Sequence, residues 1–376
     1  MPRKIYKKRK GRKGRGTMNT KALKSTLNLF QSIIKQDKLN VMSDLIEMYV
    51  DTNKVIYIGA TNKKTTLVYK NILNDEEDVP MDSITVQLSR LNSIVKLLEN
   101  EHTYLYNKGD YLMIVSGKGK YRVETMFDEN GDKIVLPISM PENEDYVEFF
   151  VDNAKEIISR GKCSIPEDMW SHPEFQRFVC VDGKTVSTNA QTISIINTKL
   201  PFNELDNEIV EHISKIPRNL VNISKVANGY RISTDNIEVY EKVTTTKDIF
   251  PTNILTPFFD YKNFPHFSVS KMSFLNALKR SDFIRNIIDY PKVNITLSKD
   301  GVLLESATGQ TKEELEVTAS TDSTVKGMFL LDKLMKYVKL LDVGSINIYM
   351  NEGKYIVLED TVGCYIVSES AEKKED

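Results

Sequence analysis

Cysteine, histidine and tryptophan are scarce in this chain, and each scarcity closes a route. Cys163, Cys180 and Cys364 are the only cysteines in 376 residues. Their spacing matches no metal-ligand pattern and gives no disulfide framework. Cys180 and Cys364 sit in apolar runs, and all three read as buried, reduced thiols, which suits a cytoplasmic protein. The four histidines, His102, His172, His212 and His266, stand far apart, none beside a nucleophile or a second ligand. No metal site, cofactor or catalytic centre is therefore expected, and the chain does not read as an enzyme. A single tryptophan, Trp170, leaves no aromatic platform on which single-stranded bases could stack. No apolar run reaches the ~20 residues of a membrane span, and the basic N-terminus lacks the apolar core of a signal peptide. Ser116-Gly-Lys-Gly-Lys-Tyr121 lacks the spacing of a phosphate loop and leads into a strand, so it reads as a hairpin turn. Asn74-Asp-Glu-Glu-Asp78 reads as a solvated loop.

What is present is ordinary in bulk and uneven in detail. Hydrophobic residues make up 40% and charged residues 27%, the composition of a globular protein. The net charge of −1 conceals an asymmetry. Residues 1–16 hold nine Lys/Arg and no Asp/Glu, which leaves 42 basic against 52 acidic residues in the rest. The segment 1–18 is expected to be a disordered basic tail, with Met18 a candidate second start. A body so acidic can engage nucleic acid only if its cations are gathered on one surface.

The strongest signal is internal repetition at a period of about 120 residues, the size of a domain and too long for a solenoid unit. Each copy opens with an amphipathic helix: Lys21–Phe30, Val151–Ile158 and Lys271–Leu278. A strand follows at Lys54–Ile58, Arg177–Val181 and Val293–Leu297, and the copy closes with a second helix and hairpin strands at Asp110–Val115, Gly229–Ser233 and Lys354–Leu358. Turns are expected at Glu129-Asn-Gly-Asp132, Asp182-Gly183 and Asp300-Gly301. Proline-bearing junctions at 137–142 and 250–257 divide the body into residues 19–141, 142–257 and 258–376. The mixture of helix and strand periods predicts an α+β fold with helices on one face of antiparallel sheets.

On a helical wheel the solvent faces are basic although the body is acidic. Leu334, Tyr337, Val338 and Leu341 share one arc, while Lys333, Lys336 and Lys339 share the other. In the first helix Leu23, Leu27, Phe30 and Ile34 oppose a flank with Lys21, Lys24 and Lys35, and Lys38 follows. Lys155 and Lys162 stand opposite Ala154, Ile157 and Ile158 in the second copy, and Lys279, Arg280 and Arg285 recur in the third. Such rows would meet phosphates through charge and counterion release without reading bases.

Four segments carry a resemblance over roughly Asn19 to Ser368: Tyr111–Val123, Thr185–Ile193, Ile249–Thr252 and Cys364–Val367. In their order and threefold period the chain resembles the bacterial-type β sliding clamp, the processivity subunit of replicative DNA polymerase. The resemblance implies three clamp domains per chain, helices inside and antiparallel sheets outside. It implies a head-to-tail homodimer, a ring of six domains and twelve inner helices around double-stranded DNA. The contact would lie near His102–Tyr106 and Phe283–Ile284. It further implies a partner-peptide groove at Thr188, Ile193, Leu255, Ile366 and Ser368, used by DNA polymerase and a clamp loader. Gln191 stands where the family has a histidine, and Ser368-Glu-Ser replaces its terminal Met-Pro-Met-type ending. The expected location is the cytoplasm, at the nucleoid, or a host cytoplasm if the chain is viral. An alternative keeps the ring but makes it a DNA-tracking platform for transcription or repair proteins.

Overall fold

The computed structural model describes residues 14–37, 39–73, 75, 79–142, 145–168, 172–243, 249–282, 291–319 and 322–370. The features expected at Lys38, Trp170, Phe283, Ile284 and Arg285, in most of 74–78, and in the tail before Gly14 lie outside these residues. Among the described residues six α-helices occur: α1 (Thr20–Ile33), α2 (Leu88–Lys96), α3 (Val151–Gly161), α4 (Asn207–Lys215), α5 (Lys271–Ser281) and α6 (Leu331–Leu340). The chain forms two compact units that cut across the sequence repeats, Met1–Val151 with His212–Thr245 and Asp152–Glu211 with Thr246–Asp376.

In the first unit α1 buries Leu23, Leu27 and Phe30, one turn apart on one face. Its start is fixed by Asn19, whose Oδ1 accepts hydrogen bonds from the Lys21 and Ala22 amides, satisfying two of the orphan donors of the first turn. Beside it α2 buries Leu88, Leu91 and Val95. The buried Asn92 joins the two helices, donating to Gln31 Oε1 at 2.6 Å. An antiparallel eight-stranded sheet runs in the order Met81–Gln87, Leu45–Val50, Val55–Thr61, Thr65–Ile72, Ile237–Lys242, Gly229–Ser233, Leu220–Val226, Val147–Phe150. A second sheet has four strands in the order Arg15–Asn19, His102–Asn107, Tyr111–Ser116, Gly119–Glu124.

The other unit repeats this plan. Its nine-stranded sheet runs Glu204–Asp206, Arg177–Val181, Lys184–Thr188, Thr192–Ile196, Gly363–Ser368, Tyr355–Glu359, Ser345–Asn351, His266–Ser270, Thr318–Ala319. Its four-stranded sheet runs Lys312–Leu315, Gly301–Ser306, Lys292–Ser298, Val325–Leu330. One core holds Phe274, Leu278, Leu331, Leu334 and Val338 from α5 and α6 against both sheets.

Two seams explain why the units ignore the repeats. Thr65–Ile72 pairs antiparallel with Ile237–Lys242, from Tyr69 opposite Ile237 to Thr65 opposite Glu241. Thr192–Ile196 pairs in the same way with Gly363–Ser368, from Thr192 opposite Val367 to Ile196 opposite Gly363. In both, the last-joined strand of one repeat's first sheet meets the last strand of the following repeat. Main-chain hydrogen bonding thus runs on through each sequence junction. By the same rule two of the sheet-edge strands, Lys312–Leu315 and Gly119–Glu124, are left without such a partner among the described residues.

Two expectations are corrected. Residues 15–18 are not tail: Arg15–Asn19 is a strand paired with His102–Asn107, and Met18 is buried. Arg15 there is a structural cation, held to Asp75 at 2.7 Å and lying over the Tyr104 ring. The strand His102–Asn107, expected at the subunit contact, has neighbours on both sides, so its backbone groups are already spent.

Candidate DNA-facing helices and partner groove

Of the lysines expected to face DNA, Lys155, Lys279, Lys336 and Lys339 are exposed on their helices, Lys24 and Lys333 are half-buried, Lys35 and Lys162 lie just past the ends of α1 and α3, and most of the cationic groups are engaged. Lys24 Nζ donates to the Leu98 carbonyl at 2.6 Å. Lys155 pairs with Asp152 at 2.8 Å and Lys162 with Glu211 at 2.9 Å. Arg280 grips Glu313 with two nitrogens, at 2.5 and 2.8 Å, and that hydrogen bonding holds the Glu313 carboxyl below its usual range. Lys336 donates to the Cys163 carbonyl at 3.2 Å, and Lys333 to the Gln191 side-chain oxygen. Burial, and then the charge of Lys336, draw the Lys333 ammonium down. Lys35, Lys279 and Lys339 are exposed. Exposed ion pairs contribute only ~0–1 kcal/mol, so an incoming phosphate can replace a carboxylate at little cost. Arg90 and Lys96 are also exposed, on α2, and were not anticipated. The spacing of Leu88, Leu91 and Val95 could have revealed their helix.

The five groove positions divide differently. Thr188 and Ile193 face each other across the Lys184–Thr188/Thr192–Ile196 hairpin, and Ile193 faces Ile366 across the seam. Leu255 comes to the same apolar cluster as Ile193 and Ile366. The structure therefore assembles the apolar residues that the resemblance grouped. It does not leave them open: Ile193, Leu255 and Ile366 are 7%, 1% and 1% exposed. Thr188 is buried too, its hydroxyl donating to the Thr192 carbonyl at 2.8 Å, and only Ser368 is exposed. The cover is residues 250–264, three short 3-10 turns that bring Phe250, Leu255 and Tyr261 onto the sheet. Beneath them Cys364 is wholly enclosed, and burial pushes its thiol up to about 12, which makes it inert. Cys163 and Cys180 are half-buried, less enclosed than expected, and all three thiols are free.

The hairpin turn at the rim is strained. Ala190 has φ of +69°, and Asn189 Oδ1 accepts from the Gln191 and Thr192 amides to hold it there. A left-handed conformation costs an ordinary residue ~1 kcal/mol or more. Ala190→Gly is therefore expected to raise stability by ~0.5–1 kcal/mol, read by chemical denaturation; a loss of stability would show that the turn is not held left-handed.

On the helix side of the sheet a polar network ties α3 and α6 to the seam. The Tyr337 hydroxyl donates to Thr192 Oγ1 at 2.5 Å and lies 2.9 Å from Ser164 Oγ, which itself is 2.6 Å from Ser194 Oγ. Arg160 forms a buried ion pair with Asp360 at 2.8 Å and donates to the Leu340 carbonyl. Burial lowers the guanidinium's pKa, but the neighbouring Tyr365 hydroxyl and Asp360 carboxylate outweigh that and raise it. Nothing in the sequence pattern announced this pair. Among the described residues no group of three or more His, Cys, Asp or Glu could hold a metal ion, and no helix is long and apolar enough to cross a membrane.

No protein-family model matches the chain, and no curated protein sequence does. Solved structures match it throughout. It is similar to a putative DNA polymerase III beta subunit from Eubacterium rectale, with TM-score 0.78 and 14% identity over 95% of this chain and 100% of that one. It is similar to a DnaN sliding clamp from Bartonella birtlesii bound to griselimycin, with TM-score 0.78, 16% identity and the same coverage. A DNA polymerase III beta subunit from Thermotoga maritima matches with TM-score 0.77 and 17% identity, over 95% of this chain and 99% of that one. The fold is that of the DNA polymerase sliding clamp.

Proposed function

We propose that two copies of this chain close head to tail into a sliding clamp that encircles duplex DNA and tethers a DNA polymerase. The carrying observation is that the chain matches sliding clamps over their whole length at TM-scores of 0.75–0.78. On this reading residues 19–141, 142–257 and 258–376 are three clamp domains, with Arg15–Asn19 added to the first. The role is topological: a closed ring cannot leave continuous duplex, so weak, mobile phosphate contacts are enough and no catalytic residue is required. Opening the ring needs a clamp loader that supplies the ATP chemistry. The place of action is the cytoplasm at the nucleoid, or a host cytoplasm for a viral chain.

The seams indicate how the ring would close. Each repeat's first sheet ends on a strand that takes the last strand of the next repeat. The free Lys312–Leu315 edge of one copy is then the partner of the free Gly119–Glu124 edge of the other. Their charges are complementary, Glu313 and Glu314 against Lys120 and Arg122. An exposed edge with unpaired amides and carbonyls is a ready template for a second chain. The partner groove at Thr188, Ile193, Leu255, Ile366 and Ser368 would take an apolar peptide carrying a glutamine and a Leu-Phe pair. Griselimycin, found on the Bartonella clamp, is the competitor to try.

The test is retention on DNA. Protein loaded on a closed circle is expected to stay bound through gel filtration and to be lost when the circle is cut. Equal loss from closed and cut circles would overturn the proposal. Lys333→Ala, Lys336→Ala and Lys339→Ala together are expected to weaken low-salt DNA binding. Its salt dependence should flatten by about one unit of slope for each phosphate no longer neutralised. An unchanged slope would remove α6 from the DNA-facing surface.

A further inference from the structure

We infer that the edge strand Val147–Phe150 is a docking site for an extended segment of another protein, alternately apolar and basic, which adds a strand to the eight-stranded sheet. The three sequence repeats supply the comparison. Each enters its first helix from a short strand, Arg15–Asn19, Val147–Phe150 or His266–Ser270. The first helical amide is fixed alike in all three: Thr20 donates to the Glu101 carbonyl, Val151 to Asn219 and Lys271 to Gly344, at 2.8–2.9 Å. In the first and third copies the far side of the strand is also bonded from within the chain. The Arg15 and Val79 amides donate to each other's carbonyl groups at 3.1 Å, and Phe267–Ser268 pairs with Thr318–Ala319. In the second copy no strand among the described residues takes that side, and Val147–Phe150 ends its sheet.

The register against Leu220–Val226 fixes which groups are left over. Phe149 bonds to Val221 and Val147 to Ile223, in phase with Val151 and Asn219, so the Glu148 amide and carbonyl and the Phe150 amide point away from the sheet. Such an edge takes a further strand through main-chain hydrogen bonds, and its side chains select which one. Here those side chains depart from the other copies. Asn19 and Ser270 close their strands and cap the helices that follow, Asn19 through the Lys21 and Ala22 amides, Ser270 through the Ser273 amide. Phe150 holds the same position with no side-chain acceptor. It is 59% exposed, facing Leu220 at 36% across the pair. Departures from a local rule concentrate at functional sites. Glu148 is exposed and carries the strand's one charge, which calls for a Lys or Arg in the incoming strand. The same charge disfavours a second copy of this edge, where carboxylate would meet carboxylate.

The probe is a fluorescein-labelled hexapeptide, Lys-Phe-Lys-Val-Lys-Phe, read by anisotropy at physiological salt. Phe150→Ser is expected to weaken its binding about tenfold or more, because the exposed ring is lost. The same substitution is expected to raise the melting temperature, because it supplies the cap that the other copies have. The peptide N-methylated at every residue keeps its charges but loses its strand hydrogen bonds, and is expected not to bind. With the unmethylated peptide bound, hydrogen exchange at the Glu148 and Phe150 amides should slow. Failure to bind the unaltered chain, equal binding of the methylated peptide, or unchanged exchange at those amides would overturn the inference. So would full binding by Phe150→Ser. A solution mass that falls on Phe150→Ser would give the edge to a second copy and overturn it as well.

Discussion

Lys120→Glu combined with Arg122→Glu is expected to convert a dimer of about 86 kDa into the 43.0 kDa chain at micromolar concentration. Both side chains are exposed on the free edge Gly119–Glu124. Arg122 lies over the Tyr111 ring, an exposed contact worth only ~0.5–1 kcal/mol, so the fold tolerates the change. On the proposed closure, which extends the antiparallel rule of the two internal seams, Glu313 and Glu314 of the second copy would stand opposite them. Like charges brought face to face at an interface cost several kcal/mol, and a tenfold change in affinity needs only ~1.4 kcal/mol. A fall in dimer affinity of about a hundredfold or more follows. Glu314→Lys in the same chain should recover part of it, since Glu313 is already held by Arg280 and Glu314 is the exposed carboxylate of the pair. Light scattering across a dilution series checks the result. A variant that stays dimeric, with unchanged dilution behaviour, would mean that these edges do not meet.

How much of this could be read in advance follows from the range of each interaction. The basic faces and apolar stripes of α1, α3, α5 and α6 were legible because a helix writes its geometry within a few residues. The seams were not. Ile193 faces Ile366 across most of the second half of the chain, and every strand nearby has the same alternating pattern, so no local feature selects that partner. Arg15–Asn19 was masked by composition: one more arginine at the end of a basic tail gives no sign that Asp75 and Tyr104 await it. The ion pairs that engage Lys162 and Arg280 join elements far apart in sequence and could not be foreseen from a wheel. The cover over the groove was lost for another reason. Proline marks residues 250–257 as a junction, and a junction reads as a connection rather than as two apolar side chains seated in a core.

The cover changes what a charge in the groove would do. Ile366→Asp is the obvious way to silence an apolar partner site, and with an open groove it should remove peptide binding alone. Ile366 is instead 1% exposed, with Ile193 and Val357 as its cross-strand neighbours. Truncating a buried isoleucine costs ~2–5 kcal/mol, and the carboxylate adds the penalty of a buried polar group with no partner. The sum approaches the ~5–15 kcal/mol that holds a whole domain folded. Ile366→Asp is therefore expected to unfold the Asp152–Glu211/Thr246–Asp376 unit, with loss of its cooperative melting transition. Ile366→Val, at ~0.5–1.5 kcal/mol, is expected to remain folded. Calorimetry of the two variants separates the possibilities. If Ile366→Asp melts with the parent protein, the side chain lies at an open surface and the seam is not closed as described. If it unfolds, any loss of partner binding by that variant reports stability, and the groove must be probed at Ser368, the one exposed position of the five.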